Sequence, residues 1–221
     1  MNLYNKGIEY EDKIYNILLK KRLVFPGTKP GKSSKKEDIS FSLRIKMEEK
    51  KDLKADFGQK FLEWNKKTQI WKWSKTDEVT ELYDTIGILK YLNKKKFVPK
   101  KHNIPDNLLT KADKKFDILN FEDSINIENK PFEKYYNKKN CYYIQIGAGY
   151  GFYHISRDKY YLGTPKLKPT FTLRLRAKTI HSTPIYNYRF LAVLKIKNKP
   201  RKSNLNIEEN KNQKFPLPIV A

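Results

Sequence analysis

Asp38, Glu48, Glu49 and Lys50 have the residue types and spacing that could do chemistry in this chain. Two carboxylates brought to one point repel each other unless a cation joins them. Mg2+ prefers oxygen ligands and keeps several of its waters, which suits a pair of carboxylates plus a substrate phosphate. A lysine two residues beyond Glu48 falls on the same side of an extended strand. There its ammonium could aim or activate a water and offset negative charge in the transition state. The reaction such a set could run is hydrolysis of a phosphodiester bond, with Asp38 and Glu48 as metal ligands and Lys50 beside the water.

The elements that must position these groups are legible around them. Ile39, Phe41, Leu43, Ile45 and Met47 alternate with Ser40, Ser42, Arg44, Lys46 and Glu48. That period of two predicts a strand or tight hairpin with one face in the core. Asp38 and Glu48 share a parity and Met47 continues the apolar face, which favours Glu48 and Lys50. A register shifted by one residue would use Glu49 and Lys51 instead. Upstream, Ile8, Ile14, Tyr15, Leu18 and Leu19 predict an amphipathic helix from Gly7 to Leu23, ended by Pro26, Gly27, Pro30 and Gly31. Downstream, residues 56–73 fit a helix, a turn and a short strand, and 78–92 a helix weakened at Gly87. Residues 94–105 read as a basic connector, and the acid-rich stretch 113–133 as a solvated surface segment. From Tyr142 the chain is β-rich, with strands over 171–180 and 189–196. The Gly147–Gly151 run reads as a glycine-permitted turn or close backbone approach. The polar tail after Pro200 reads as mobile or laid across the surface.

Charge points to the partner. The 221 residues carry 47 Lys and Arg against 24 Asp and Glu, a net charge of +23. A surface that basic attracts polyanions, nucleic acid above all. Between Lys159 and Ile207 there are twelve Lys or Arg and no Asp or Glu. Within it Arg174, Arg176 and Lys178 alternate with Leu173, Leu175 and Ala177, and Arg189, Lys195 and Lys197 oppose Phe190, Ala192, Leu194 and Ile196. Two such strands side by side would form a continuous cationic face whose like charges a phosphate backbone would relieve. These six residues are the expected contacts to phosphates or guanine edges.

The string Asp38-Ile39-Ser40-Phe41, then Glu48-Glu49-Lys50, then Leu53-Lys54-Ala55-Asp56-Phe57-Gly58-Gln59 resembles the core of the PD-(D/E)XK nucleases, and within them type II restriction endonucleases most. The resemblance spans roughly residues 7–65. It implies a restriction-endonuclease-like mixed sheet flanked by helices, Mg2+ dependence and cleavage of double-stranded DNA. It also implies a glutamate on the first helix near the metal, which maps to Glu11, and a polar residue near the site, which maps to Gln59. A homodimer is expected if both strands of a palindrome are cut.

The fold expected is therefore α/β (α+β), with a nuclease core over 1–110, an acidic connector over 111–140 and a β-rich basic region over 141–221, possibly continuous with the core. Cys141, a single cysteine, excludes an internal disulfide framework and reads as buried. His102, His154 and His181 lack ligand spacing, and Tyr142, Tyr143, Tyr160 and Tyr161 fit core packing better than base stacking. With no apolar signal at the N-terminus and no span of roughly 20 apolar residues, a soluble, intracellular protein with no membrane partner is expected. Two other readings stay open: a Holliday-junction or repair nuclease with the same core, and a non-catalytic nucleic-acid-binding protein.

Overall fold

The computed structural model describes residues 3–22, 24, 39–40, 46–168, 170–179, 186–206 and 208. The fold is mixed α/β, with a β-rich C-terminal half. The chain divides into two compact units that each draw on distant segments: 1–55, 132–169 and 198–221 form one, and 56–131 with 170–197 the other. The linear division into core, connector and recognition region is thus not the one adopted. Long-range strand pairing is the cause, because strands near the N-terminus find their partners after residue 140.

In the first unit, α1 (Leu3–Lys20) precedes β1 (Ile39–Ser40) and β2 (Lys46–Lys50). These strands pair antiparallel, Ile39 opposite Met47 and Ser40 opposite Lys46. The next partner of β2 is parallel, β6 (Cys141–Ile146), which in turn pairs antiparallel with β7 (Gly151–His154). A parallel neighbour requires a crossover, and α5 (Asn129–Lys138) runs directly into β6. Partner residues share a face, so Met47, Glu49, Tyr143, Gln145 and Phe152 lie on one side of the sheet. Against that side packs the apolar stripe of α1, Tyr10, Ile14 and Leu18. The glycine-rich turn between β6 and β7 is a close approach, as expected: a Cβ on Gly147 would sit 2.2 Å from the Lys51 carbonyl oxygen and 2.9 Å from the Tyr10 ring. The start of the tail is held to β7, with Phe152 N–H donating to Leu205 O at 2.8 Å.

The second unit is a five-stranded antiparallel sheet in the order β4-β3-β9-β8-β5. Its strands are β3 (Gln59–Asn65), β4 (Ile70–Trp73), β5 (Asp123–Ile127), β8 (Phe171–Thr179) and β9 (Tyr188–Ile196). The helix expected over the start of 56–73 is instead the first strand of a hairpin. Leu62, Trp64, Trp71 and Trp73 are its buried positions, a period of two that the flanking Phe57 and Phe61 disguise as helical. Asn65 Oδ1 accepts the Lys67 and Thr68 N–H groups and so closes the turn. The helix expected over 78–92 is broken at Gly87 (φ 89°) into α2 (Glu78–Ile86) and α3 (Ile88–Lys94). Trp71, Phe121 and Phe190 form the aromatic centre, their ring centroids 4.6–5.0 Å apart.

The acidic stretch 113–133 keeps most of its acids at the surface, as expected, and buries one, Asp117. It supplies most of α4 (Lys111–Phe121) and all of β5. Asp113 closes a capping box with Thr110. Asp117 is fully buried and accepts from Tyr188 Oη at 2.5 Å and from the N–H groups of Lys100 and Lys101 at 2.7 and 2.9 Å. Burial raises the Asp117 carboxyl above its ordinary range, against the lowering effect of those donors.

Candidate active site and nucleic-acid interface

β2 presents its side chains alternately. Met47 and Glu49 are buried, and Lys46, Glu48 and Lys50 are half-buried on the other face. Lys50 Nζ lies 2.5 Å from Glu48 Oε1, with the two side chains 15% and 14% exposed. That pairing follows from the strand, since residues two apart project to the same side. Glu48 Oε2 makes no such contact to a described residue, and the side chain as a whole keeps 14% of its surface exposed. Chemically this is a half-buried carboxylate with one oxygen held by an ammonium and one left to accept a ligand.

The structure brings Glu48 and Lys50 together. Asp38 lies outside the described residues. Glu11 is not brought to the Glu48 face: α1 packs on the opposite side of the sheet, the side of Met47 and Glu49. Gln59 belongs to the second unit, on β3 across from Val193. Among the described residues no group of three His, Cys, Asp or Glu is placed to hold a metal.

Glu49 has surroundings the sequence did not reveal. It is 4% exposed and sits in register with Gln145, itself fully buried. Tyr10 from α1 completes the cluster, accepting from Gln145 Nε2 at 3.5 Å and donating to Glu208 Oε2 at 3.1 Å. Burial raises the Tyr10 phenol well above its ordinary value, with the carboxylates of Glu208 and Glu49 adding to the effect. Lys51, the partner of Glu49 in the shifted register, follows the strand and is exposed. Only the parallel pairing of β2 with β6 joins Glu49 to Gln145, and no local pattern announces it.

The cationic residues occupy one face of the second unit. Arg174, Arg176 and Lys178 are exposed on β8, and Arg189 on β9 lies directly opposite Lys178. None of these four forms an ion pair among the described residues. The face is not continuous along β9, because Leu191 and Val193, in register with Arg176 and Arg174, are buried between Arg189 and Lys195. At that far end Lys195 is 2.9 Å from Asp56, and Lys197 donates to Asn126 Oδ1 at 3.1 Å. The six predicted contacts therefore split into four unneutralised cations and two already engaged. Among the other candidates, His154 Nδ1 lies 2.7 Å from Thr164 O and Cys141 is buried, structural roles as expected. His181 lies outside the described residues. No helix among the described residues is long and apolar enough to cross a membrane.

Comparison of the chain with protein-family models, with curated proteins and with solved structures gives no match.

Proposed function

We propose that this chain is a Mg2+-dependent endonuclease of double-stranded DNA, sequence-specific in the manner of type II restriction enzymes and acting as a homodimer. The observation that carries the reading is the Glu48–Lys50 pair, at 2.5 Å on one face of the strand that β1 flanks. Glu48 Oε2 would hold the metal together with Asp38. A hard oxygen donor beside a lysine fits Mg2+, which needs only one or two carboxylates when phosphate and water fill its remaining positions. When bound, the ion supplies Lewis acidity toward the phosphoryl oxygen and lowers the pKa of water. Lys50, anchored on Glu48 Oε1, is preorganised to orient the attacking water and to offset charge on the phosphorane-like transition state. Arg174, Arg176, Lys178 and Arg189 would take backbone phosphates.

A second arrangement of the same activity draws support from the burial of Glu49. In it Glu49 and Lys51 replace Glu48 and Lys50, on the side of the sheet where α1 carries Glu11 and where Tyr10 and Gln145 add polar groups. Supercoiled plasmid of known sequence, incubated with Mg2+ or with EDTA and followed by end mapping, tests the activity. Discrete metal-dependent fragments are expected. A smear would remove sequence specificity, preference for a four-way junction would favour a structure-directed nuclease, and intact plasmid that is nonetheless bound would leave a binding protein.

A further inference from the structure

The pairing of β3 with β9 ends at Leu62 opposite Phe190, while β3 continues to Asn65 alongside β4. Where the two strands part, a pocket of about 630 Å³ opens, walled by Phe61, Phe190, Ile104, His102, Lys66 and Arg189 among others. Its size is within the roughly 300–1,000 Å³ of small-molecule sites. Its accessible aromatic side chains are Phe61 and His102, with Phe190 fully buried behind His102. The His102 ring stands 5.6 Å from Phe190 and 6.3 Å from Trp71, and the Arg189 guanidinium lies 5.5 Å over the Phe61 ring. Burial, helped by the charge of Lys101, lowers the His102 imidazole to about 4. At neutral pH it is uncharged, with one ring nitrogen a donor and the other an acceptor. Two acids also line it: Asp106 is paired with Lys101, and Glu63 lies 3.8 Å from the exposed Lys72. Lys66 and Arg189 form no ion pair among the described residues, and the lining cations Lys66, Lys101 and Arg189 outnumber Glu63 and Asp106, which leaves positive charge beside the Phe61 ring.

We propose that this pocket receives one nucleotide unit, with its base against Phe61 and His102, and its phosphate on Lys66 and Arg189. The Phe61 ring matches the π-face of a base, a neutral imidazole matches its mixed donor and acceptor edge, and the two cations match a phosphate. Arg189 is also the member of the cationic face that reaches the pocket, across from Lys178. The ligand is thus a nucleotide, either turned out of a bound strand or free in solution. This deepens the DNA half of the proposed function and rests on it only for the strand as the source.

The full chain, kept in EDTA so that no cleavage intervenes, is titrated with deoxyadenosine 5′-monophosphate, deoxyribose 5-phosphate and adenosine, with the His102 ring resonances as readout. The nucleotide is expected to shift them saturably, and each fragment to bind at least about tenfold more weakly, the loss of one whole recognition element. Lys66 is exposed on the β3–β4 turn, so Lys66→Glu should weaken the nucleotide by a similar factor with an unchanged melting curve. A duplex carrying 2-aminopurine assigns the source: brighter fluorescence on binding, lost in Lys66→Glu, means a base turned out of the strand, and a flat signal beside saturable mononucleotide binding means a free nucleotide. Absence of any saturable nucleotide response, or equal binding of deoxyribose 5-phosphate, overturns the proposal. Neither result depends on Mg2+-dependent cleavage, so the pocket and the nuclease reading can fail separately.

Discussion

The two sheets treat charge in opposite ways. On β2 the charged face is half-buried and carries both signs, with Lys50 against Glu48 at 2.5 Å. On β8 and β9 it is exposed and of one sign, with Lys178 directly across from Arg189 and no carboxylate on Arg174, Arg176, Lys178 or Arg189 among the described residues. Desolvated charges need a partner of opposite sign within the protein, and β2 provides one. Exposed like charges on adjacent strands repel and are quieted only by something from outside. The first arrangement suits a reacting centre, where charge must be placed and held. The second suits a surface for a polyanion, where counterion release supplies the driving force.

The largest effect expected falls on β2. Glu48→Gln and Lys50→Ala should each slow plasmid cleavage by roughly a hundredfold to a thousandfold, while DNA affinity without metal, read by gel shift, stays within about threefold. If Glu49→Gln abolishes cleavage and Glu48→Gln does not, the reacting centre moves to the side of the sheet that α1 covers.

The next concerns His102, a half-buried imidazole of the second unit. The folded value of His102, about 4, lies below its ordinary 6.5, so the unfolded chain takes up the proton first. Its contribution to stability is complete above pH 6.5, is lost as pH falls toward 4, and changes no further below. The loss is about 3 kcal/mol at most. Urea unfolding of wild type and His102→Phe at pH 7 and pH 4 checks this: the wild type should lose more on acidification than the variant.

A smaller effect belongs to the cationic face. Arg174→Ala with Arg176→Ala should weaken DNA binding roughly tenfold and make the slope of log affinity against log salt shallower by about two. Lys195→Ala should change affinity less than about twofold, because the ion pair with Asp56 already offsets that charge. If Lys195 matters as much as Arg174, the division of the face into free and engaged cations is wrong.

What could be read from local pattern held where one period dominated. α1, β2 and β8 announce themselves because each has one dominant buried stripe, and β9 does so as a continuous apolar run from Phe190 to Leu194. The β3–β4 hairpin was missed because Phe57 and Phe61 fall at helical spacing relative to Trp64, and only pairing with β9 and β4 selects the strand. Of the acids of 113–133 only Asp117 is buried, and nothing local shows that Tyr188, far along the chain, would meet it. At the candidate site, the side-by-side placement of Glu48 and Lys50 was legible from parity. That α1 would cover the other face, placing Glu11 away from that pair, was not.

By itself the sequence determined the charge, the alternation that puts Glu48 beside Lys50, and the cationic row of β8. Each of these follows from the two-residue period of an extended backbone, which is a local property. Tertiary structure alone decided the discontinuous units, the buried cluster of Glu49, Gln145 and Tyr10, and the pocket where β3 leaves β9. Those depend on which strands find one another across long loops, a choice made by the packing of whole faces and written in no single segment.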